Sequence, residues 1–103
     1  MNELSYILNE LGEDRDQYFR AIAPPIMQTS NFAFDTVADL RKAFEDEMSG
    51  YLYSRGLNPT VDILRKKLAA LDGAEDCLVF ANGAAAIFAG VLANVKKIGR
   101  AHV

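Results

Sequence analysis

The sequence predicts an α/β fold, and two observations support this assignment. Three segments carry apolar residues at helical spacing, which is typical of amphipathic helices. A short apolar run of strand length, residues 77–80, is followed by a tight turn at Asn82 and Gly83 and then by helix-forming residues. Helix, strand, tight turn and helix in this order are the pattern of an α/β unit.

Length and charge exclude several classes of protein. With 103 residues, half of them hydrophobic and 24% charged, the sequence has room for one small globular domain. A formal net charge of −3 gives no basic face, so we expect neither nucleic acid nor a membrane as partner. No apolar run reaches the roughly 20 residues that cross a bilayer, and the N-terminus lacks a signal-peptide pattern. The expected compartment is the cytoplasm.

The chain begins with a predicted amphipathic helix that ends at Gly12. Its apolar residues recur at helical spacing: Leu4, Ile7, Leu8 and Leu11. From residue 13 to residue 34 we expect an extended arm, not a packed element, because the consecutive Pro24 and Pro25 exclude a helix.

Two further amphipathic helices are predicted. The first begins at Thr36, a suitable N-cap with Asp39 as its capping-box partner, and ends at Gly50. Its apolar residues are Val37, Leu40, Phe44 and Met48. The second begins at Pro59, whose fixed φ suits a helix start, and Gly73 is its natural C-terminal cap. Its apolar stripe is formed by Val61, Leu64, Leu68 and Leu71.

Residues 77–80 are predicted to form a strand covered on both faces, although a buried helical segment has the same pattern. The single cysteine, Cys77, lies in this run. We expect it to be a small buried residue rather than a nucleophile, because no activating base stands beside it.

The turn at Asn82, Gly83 and Ala84 is a candidate anion site. A turn that passes directly into a helix leaves backbone N–H groups free at the positive end of the helix dipole, and a glycine lets a ligand approach the main chain. The alternative is structural, because Asn is a common N-cap and Gly a common turn residue.

A second candidate site lies in the stretch YLYSRGLNPT, residues 51–60. Arg55 offers a planar charged donor fork suited to phosphate, and Tyr53 offers a hydroxyl. In an extended segment these two side chains lie on the same side of the chain. The alternative is that Tyr51 and Tyr53 are packing anchors and Arg55 is a solvated surface charge.

Three motifs together resemble a known family. They are APPIMQTSNFAF at residues 23–34, YLYSRGLNPT at residues 51–60, and LRKKLAALDGAEDCLVFANGAAAI at residues 64–87. Their order and spacing are similar to the N-terminal quarter of the Cys/Met-metabolism family of pyridoxal-phosphate enzymes. That family includes cystathionine γ-synthase, cystathionine lyases, methionine γ-lyase and O-acetylhomoserine sulfhydrylase. The resemblance runs from about Ile22 to Lys97.

The resemblance implies the N-terminal part of a fold type I transferase, similar to aspartate aminotransferase, truncated after the first strand and helix of the large domain. In this family the Tyr and Arg of the Y-S-R motif reach the cofactor phosphate of a neighbouring subunit, which carries over to Tyr53 and Arg55. The small-residue turn holds the phosphate of its own chain, which carries over to Asn82, Gly83 and Ala84. Family members often have Ser-Gly-Met at this turn, so the serine side-chain contact does not carry over.

The resemblance also implies that essential residues fall beyond Val103. These are the aromatic residue that stacks on the cofactor ring, the Asp that pairs with the pyridine nitrogen, and the Schiff-base lysine. Lys96 and Lys97 end a predicted helix beside no recognisable ring site and are not expected to be that lysine. We therefore expect a fragment with no catalytic residue and no metal ligand, which in isolation is partly unfolded or prone to aggregation.

Three parts of the chain are expected. Residues 1–60 form the N-terminal helix, the extended arm and an inter-subunit segment, and residues 61–97 begin the pyridoxal-phosphate-binding large domain. Residues 98–103 are predicted to be a non-native tail, because they can be encoded by a sequence similar to the start of a widely used sequencing-adapter oligonucleotide. The alternative is a natural divergent terminus.

For the parent protein the resemblance implies a pyridoxal-phosphate-dependent lyase or transferase of trans-sulfuration, acting on an amino-acid substrate by β- or γ-elimination or replacement and assembled as a homotetramer. One alternative is a small non-enzymatic domain of four helices that dimerises through its apolar stripes. Another is a different fold type I enzyme such as an aminotransferase, which the Y-S-R motif disfavours. Visible absorption that appears when pyridoxal phosphate is added to a full-length version distinguishes an enzyme from an interaction domain.

Overall fold

A computed structural model describes residues 3–95 of the chain. Within these residues the helices are α1 (Leu4–Asn9), α2 (Val37–Glu45), α3 (Pro59–Asp72) and α4 (Gly83–Leu92), with 3₁₀ helices at Arg15–Tyr18 and Glu47–Ser49. None of them has the length and apolar content needed to span a membrane. The predicted non-native tail at residues 98–103 lies outside the described residues, as do Lys96 and Lys97.

The predicted N-terminal helix is confirmed as α1, although it ends at Asn9 and not at Gly12, and it lies against α3. Ile7 of α1 and Ala69 of α3 are the buried apolar side chains among the described residues, with 5% and 7% exposure. Beside them the Lys67 ammonium donates to the Leu8 carbonyl oxygen at 2.8 Å and pairs with the Glu13 carboxylate. Because Leu8 lies in the last turn of α1, Lys67 complements the negative end of that helix dipole.

The second predicted helix is confirmed as α2, but it is shorter than expected. The Thr36 hydroxyl oxygen accepts a hydrogen bond from the Asp39 N–H at 3.1 Å, so the predicted N-cap is present. The α-helix ends at Glu45, and the 3₁₀ helix Glu47–Ser49 follows it before Gly50. Phe44, predicted to lie on the apolar face, is 64% exposed.

Both predicted ends of the third helix are confirmed. Pro59 occupies the first turn of α3, and Gly73 ends it in the left-handed region with a φ of 67°. A glycine suits this position because side chains with a Cβ rarely adopt that conformation. The predicted apolar stripe of α3 is between 40% and 48% exposed at Val61, Leu64, Leu68 and Leu71.

The predicted strand is absent from the structure. Residues 77–80 have no regular secondary structure, and no other segment among residues 3–95 pairs with them. A strand needs a neighbour to satisfy its backbone hydrogen bonds, so an isolated apolar run remains unpaired. The described part of the chain is therefore helical, and the strand that the α/β prediction placed at residues 77–80 is not formed in it. Cys77 in this run is half-buried, not buried as predicted.

The second half of the predicted extended arm has no regular secondary structure and is mostly exposed, but it forms hydrogen bonds with residues 52–60. Asn31 forms an isolated antiparallel bridge with Tyr53, and the Phe32 N–H donates to the Leu52 carbonyl oxygen at 3.2 Å. The first half of the arm contains the 3₁₀ helix Arg15–Tyr18, which the prediction also missed.

The described residues bury little apolar surface. Large apolar side chains such as Leu78 and Phe88 are each 67% exposed. The radius of gyration is 16.7 Å, whereas a compact domain of this length has about 13 Å. Apolar burial is the main term that stabilises a folded domain, and residues 3–95 have little of it.

We therefore expect the isolated 103-residue chain to unfold without a cooperative transition. Too few apolar contacts connect the helices to make them melt together. Circular dichroism during heating tests this: the far-UV signal is expected to decline gradually, with a weak near-UV signal at the start. A sharp transition that coincides in both spectral regions would contradict the expectation.

Candidate functional site

Tyr53 and Arg55 lie on a tight turn, and their side chains are in contact. The Tyr53 carbonyl oxygen accepts hydrogen bonds from the Gly56 N–H at 2.9 Å and the Leu57 N–H at 3.2 Å. The Arg55 guanidinium carbon lies 5.6 Å from the centroid of the Tyr53 ring, which is a cation–π arrangement. The prediction of an extended segment is therefore wrong. The two side chains nevertheless lie together, as expected, because of the turn.

Both side chains can reach a ligand from solution. Tyr53 is 43% exposed, and Arg55 is exposed as well. Among residues 3–95 no carboxylate lies within ion-pair distance of the Arg55 guanidinium. Its charge and its donor groups are thus available to an anion, and its orientation is partly fixed by the Tyr53 ring.

The second half of the arm holds this turn from one side. The Ser54 N–H donates to the Ser30 carbonyl oxygen at 2.8 Å, and the Ser54 hydroxyl donates to the Thr29 carbonyl oxygen. Together with the Asn31–Tyr53 bridge, these bonds connect residues 29–31 to residues 53–54. The arm therefore supports the turn that carries the candidate residues.

Asn58 is a buried polar residue, 7% exposed, that joins the turn, the arm and α3. Its side-chain oxygen accepts from the Thr60 N–H at 2.9 Å, which caps α3. Its amide nitrogen donates to the Met27 carbonyl oxygen and to the Ser54 hydroxyl, both at 3.0 Å. Sequence reasoning missed this role, although an Asn directly before a helix-starting Pro59 was a signal for a cap.

Tyr51 is a packing anchor, as one alternative reading of the sequence expected. Its ring centroid lies 5.5 Å from that of Phe32, and its hydroxyl donates to the Asp62 carboxylate at 2.8 Å. Burial, followed by the hydrogen bond to Asp62, raises the pKa of Tyr51 to about 12. The hydroxyl therefore remains protonated, and remains a donor, at neutral pH.

Arg55 lines three cavities. The largest, about 450 Å³, lies between the turn and residues 27–30 of the arm. A second, about 270 Å³, is bounded by Glu47 and by the turn itself, and a third, about 280 Å³, lies between the turn, α3 and residues 78–80. None of the three includes Asn82, Gly83 or Ala84.

The turn at Asn82 begins α4 and leaves backbone donors free. The Asn82 side-chain oxygen accepts from the Ala85 N–H at 2.8 Å, so the N-cap role is confirmed. Within the described part of the chain, the N–H groups of Gly83 and Ala84 have no acceptor. A ten-residue helix adds the positive end of its dipole behind them.

Gly83 is not required by the local structure. Its φ lies outside the left-handed region that favours glycine, and a Cβ added to it would meet nothing within 4 Å. Glycine is also a poorer helix former than alanine. A side chain at this position would point into open space, so the missing side chain leaves the main chain accessible to an anion.

Comparison with known proteins identifies relatives of one kind. The sequence model of a family described as Cys/Met metabolism PLP-dependent enzyme matches residues 7–103. This range begins earlier than the resemblance at Ile22 predicted, and it includes residues 98–103, for which the non-native tail stays a prediction.

Three curated relatives illustrate the similarity. L-methionine gamma-lyase of Pseudomonas putida is 40% identical over 76 residues, which are 74% of this chain and 19% of the relative. Cystathionine gamma-lyase of Homo sapiens is 42% identical over 77 residues, 74% of this chain and 17% of the relative. O-succinylhomoserine sulfhydrylase of Pseudomonas aeruginosa is 42% identical over 67 residues, 65% of this chain and 17% of the relative. The chain thus spans about a fifth of the length of the curated relatives it matches.

Proposed function

Because the chain belongs to the Cys/Met-metabolism family of pyridoxal-phosphate-dependent enzymes, we propose that it supplies the phosphate-binding residues of such an enzyme. Membership of this family implies pyridoxal 5′-phosphate as cofactor and fold type I as the fold of the whole protein. A small non-enzymatic interaction domain gives no reason for this family match.

The residues present fit a phosphate group. Arg55 provides a permanent positive charge and several N–H donors, and Tyr53 adds a hydroxyl close to it. The Gly83 and Ala84 N–H groups form a second set of donors at the start of α4, beside open space. Gly83 is the strongest single support for the proposal, because neither backbone conformation nor neighbouring atoms require a glycine there.

We propose that the two sets of donors serve different cofactors. The turn at Asn82, Gly83 and Ala84 binds the phosphate in its own subunit, and Tyr53 and Arg55 bind the phosphate in a neighbouring subunit. Support comes from the exposure of both sets and from the three cavities lined by Arg55, none of which includes the Asn82 turn.

The proposed reaction is β- or γ-elimination or replacement on a sulfur-containing amino acid, by a lyase or transferase of trans-sulfuration. When bound, pyridoxal phosphate supplies an electron sink for the substrate carbanion. Tyr53, Arg55 and the Asn82 turn hold its phosphate and so fix its position; no residue between 3 and 95 is proposed as catalytic. The proposed assembly is a homotetramer in the cytoplasm.

Replacing Gly83 by alanine is expected to weaken ligand binding while slightly increasing the stability of the protein. Alanine favours the helix by about 0.5 kcal/mol at this position, so the apoprotein should become slightly more stable. The added methyl group occupies the space beside the free N–H groups, so the dissociation constant for pyridoxal phosphate should rise about tenfold, or roughly 1.4 kcal/mol. Equilibrium dialysis and thermal unfolding of the full-length apoprotein measure the two quantities.

The matched control for this substitution is Gly90→Ala, in the last turn of the same helix. A Cβ at Gly90 also meets nothing within 4 Å, so a similar gain in stability is expected without any change in affinity. If Gly83→Ala binds pyridoxal phosphate as tightly as the unchanged protein, Gly83 does not face the phosphate and the proposed site is wrong.

A further inference from the structure

Tyr51 connects the turn that carries Tyr53 and Arg55 to the first turn of α3. Its hydroxyl donates to the Asp62 Oδ2 atom at 2.8 Å. Tyr51 stands two residues before Tyr53, so this bond fixes the chain immediately before the turn. The chain immediately after the turn is fixed separately, because Asn58 donates to Ser54 and caps α3.

Asp62 is itself held in one orientation by Arg65. The Arg65 Nη1 atom donates to Asp62 Oδ1 at 2.9 Å, and the two side chains are only 14% and 13% exposed. Arg65 Nη2 donates to both Asp76 carboxylate oxygens at 2.9 and 3.0 Å, and Nε donates to the Cys77 carbonyl oxygen at 2.8 Å. Because a guanidinium is planar, bonds in three directions leave Arg65 little freedom to rotate.

The two Asp62 oxygens therefore have different partners, a guanidinium on one and a phenol on the other. Arg65 sets the position of Asp62, and Asp62 sets the position of the Tyr51 hydroxyl. This chain of bonds runs from a rigid helix to the turn, and Asp62 and Arg65 also line the 280 Å³ cavity beside Arg55. The bonds from α3 thus orient the turn, which the arm also supports.

We propose that Tyr51 and Asp62 are positioning residues: they set the direction in which the turn presents Tyr53 and Arg55 to a phosphate, without contacting the phosphate. The inference rests on the proposed phosphate-binding role of Arg55. The bonds from Tyr51 to Asp62 at 2.8 Å and from Arg65 to Asp62 at 2.9 Å support it.

A double-mutant cycle on the full-length apoprotein tests the inference. The dissociation constant of pyridoxal phosphate is measured by equilibrium dialysis for the unchanged protein, Tyr51→Phe, Arg55→Gln and the double variant. Tyr51→Phe is expected to weaken binding about fivefold in the unchanged protein and to have no further effect once Arg55 is replaced. Such non-additivity is not expected of a hydroxyl that acts only on overall stability.

Two further variants make the result specific. Asp62→Ala removes the acceptor but keeps Tyr51, and its effect on affinity should likewise vanish in the Arg55→Gln background. Tyr6→Phe, at a 43% exposed position on α1, removes a hydroxyl away from this network and should leave the affinity unchanged.

The possible outcomes distinguish a failure of the positioning role from a failure of the proposed phosphate site. If Arg55→Gln leaves the affinity unchanged, the proposed phosphate site is wrong. If Arg55→Gln weakens binding but Tyr51→Phe has no effect, or weakens binding equally in both backgrounds, only the positioning role is wrong. Loss of affinity in both Tyr51→Phe and Asp62→Ala that depends on Arg55 supports the inference.

Discussion

Replacing Arg55 by glutamine is expected to weaken pyridoxal phosphate binding to the full-length apoprotein by about 10–100-fold. A hydrogen bond to a charged group contributes about 1.5–3 kcal/mol, and 1.4 kcal/mol corresponds to a factor of ten. Glutamine keeps an amide donor but carries no charge, so the charge-assisted bonds to the phosphate are lost. Its amide also cannot reproduce the cation–π contact with Tyr53.

Replacing Tyr53 by phenylalanine tests the contribution of the hydroxyl to binding apart from that of the ring. Phenylalanine keeps an aromatic face beside the Arg55 guanidinium and removes only the donor, so a loss of affinity of about fivefold is expected.

Arg41→Gln, at an exposed position on α2, is the matched control for the loss of positive charge in Arg55→Gln and should leave the affinity unchanged. If Arg55→Gln changes the dissociation constant no more than Arg41→Gln does, Arg55 is a solvated surface charge.

Several helix caps could be predicted from the sequence because caps are local. Thr36 caps α2 and Gly73 closes α3, and in each case the bonds or the conformation involve residues within a few positions. Asn82 was recognised as a possible cap and is one. Such features need no knowledge of the rest of the chain.

Contacts between distant segments could not be predicted in the same way. The support that residues 27–31 give to the Tyr53 turn joins positions more than twenty residues apart, and no periodic pattern marks it. The strand predicted at residues 77–80 failed for a related reason, since an apolar run becomes a strand only when another segment pairs with it. The β-propensity of a segment indicates that it can be extended, but it does not identify the segment that pairs with it.

The candidate site was predicted in its residues but not in its arrangement. The chemical character of Arg55 and the Gly83 turn identified possible anion donors. The family resemblance assigned Arg55 to the phosphate of a neighbouring subunit and the Gly83 turn to the phosphate of its own subunit. The position of Tyr53 against Arg55 depends on a turn, where an extended segment was expected. The network of Tyr51, Asp62 and Arg65 was not predicted, because it joins a side chain before the turn to the first two turns of α3.

If each phosphate site is shared between two subunits, a pair made of two different defective variants should regain binding at one of its sites. In a symmetric pair of subunits, each site takes its Asn82 turn from one chain and its Arg55 from the other. Arg55→Gln and Gly83→Val each impair every site when present alone, because the arginine is lost in one and a bulky side chain blocks the turn in the other. A mixed pair contains one site with both halves intact and one with both halves defective.

The most direct measurement is the number of tight pyridoxal phosphate sites after Arg55→Gln and Gly83→Val subunits are co-expressed in equal amounts. Random pairing makes half of the pairs mixed, so about a quarter of all sites should bind with the affinity of the unchanged protein. Each variant purified alone provides the baseline, with no tight sites. If the co-expressed protein also has no tight sites, each phosphate is bound by a single chain, and the shared site proposed for Tyr53, Arg55 and the Asn82 turn is contradicted.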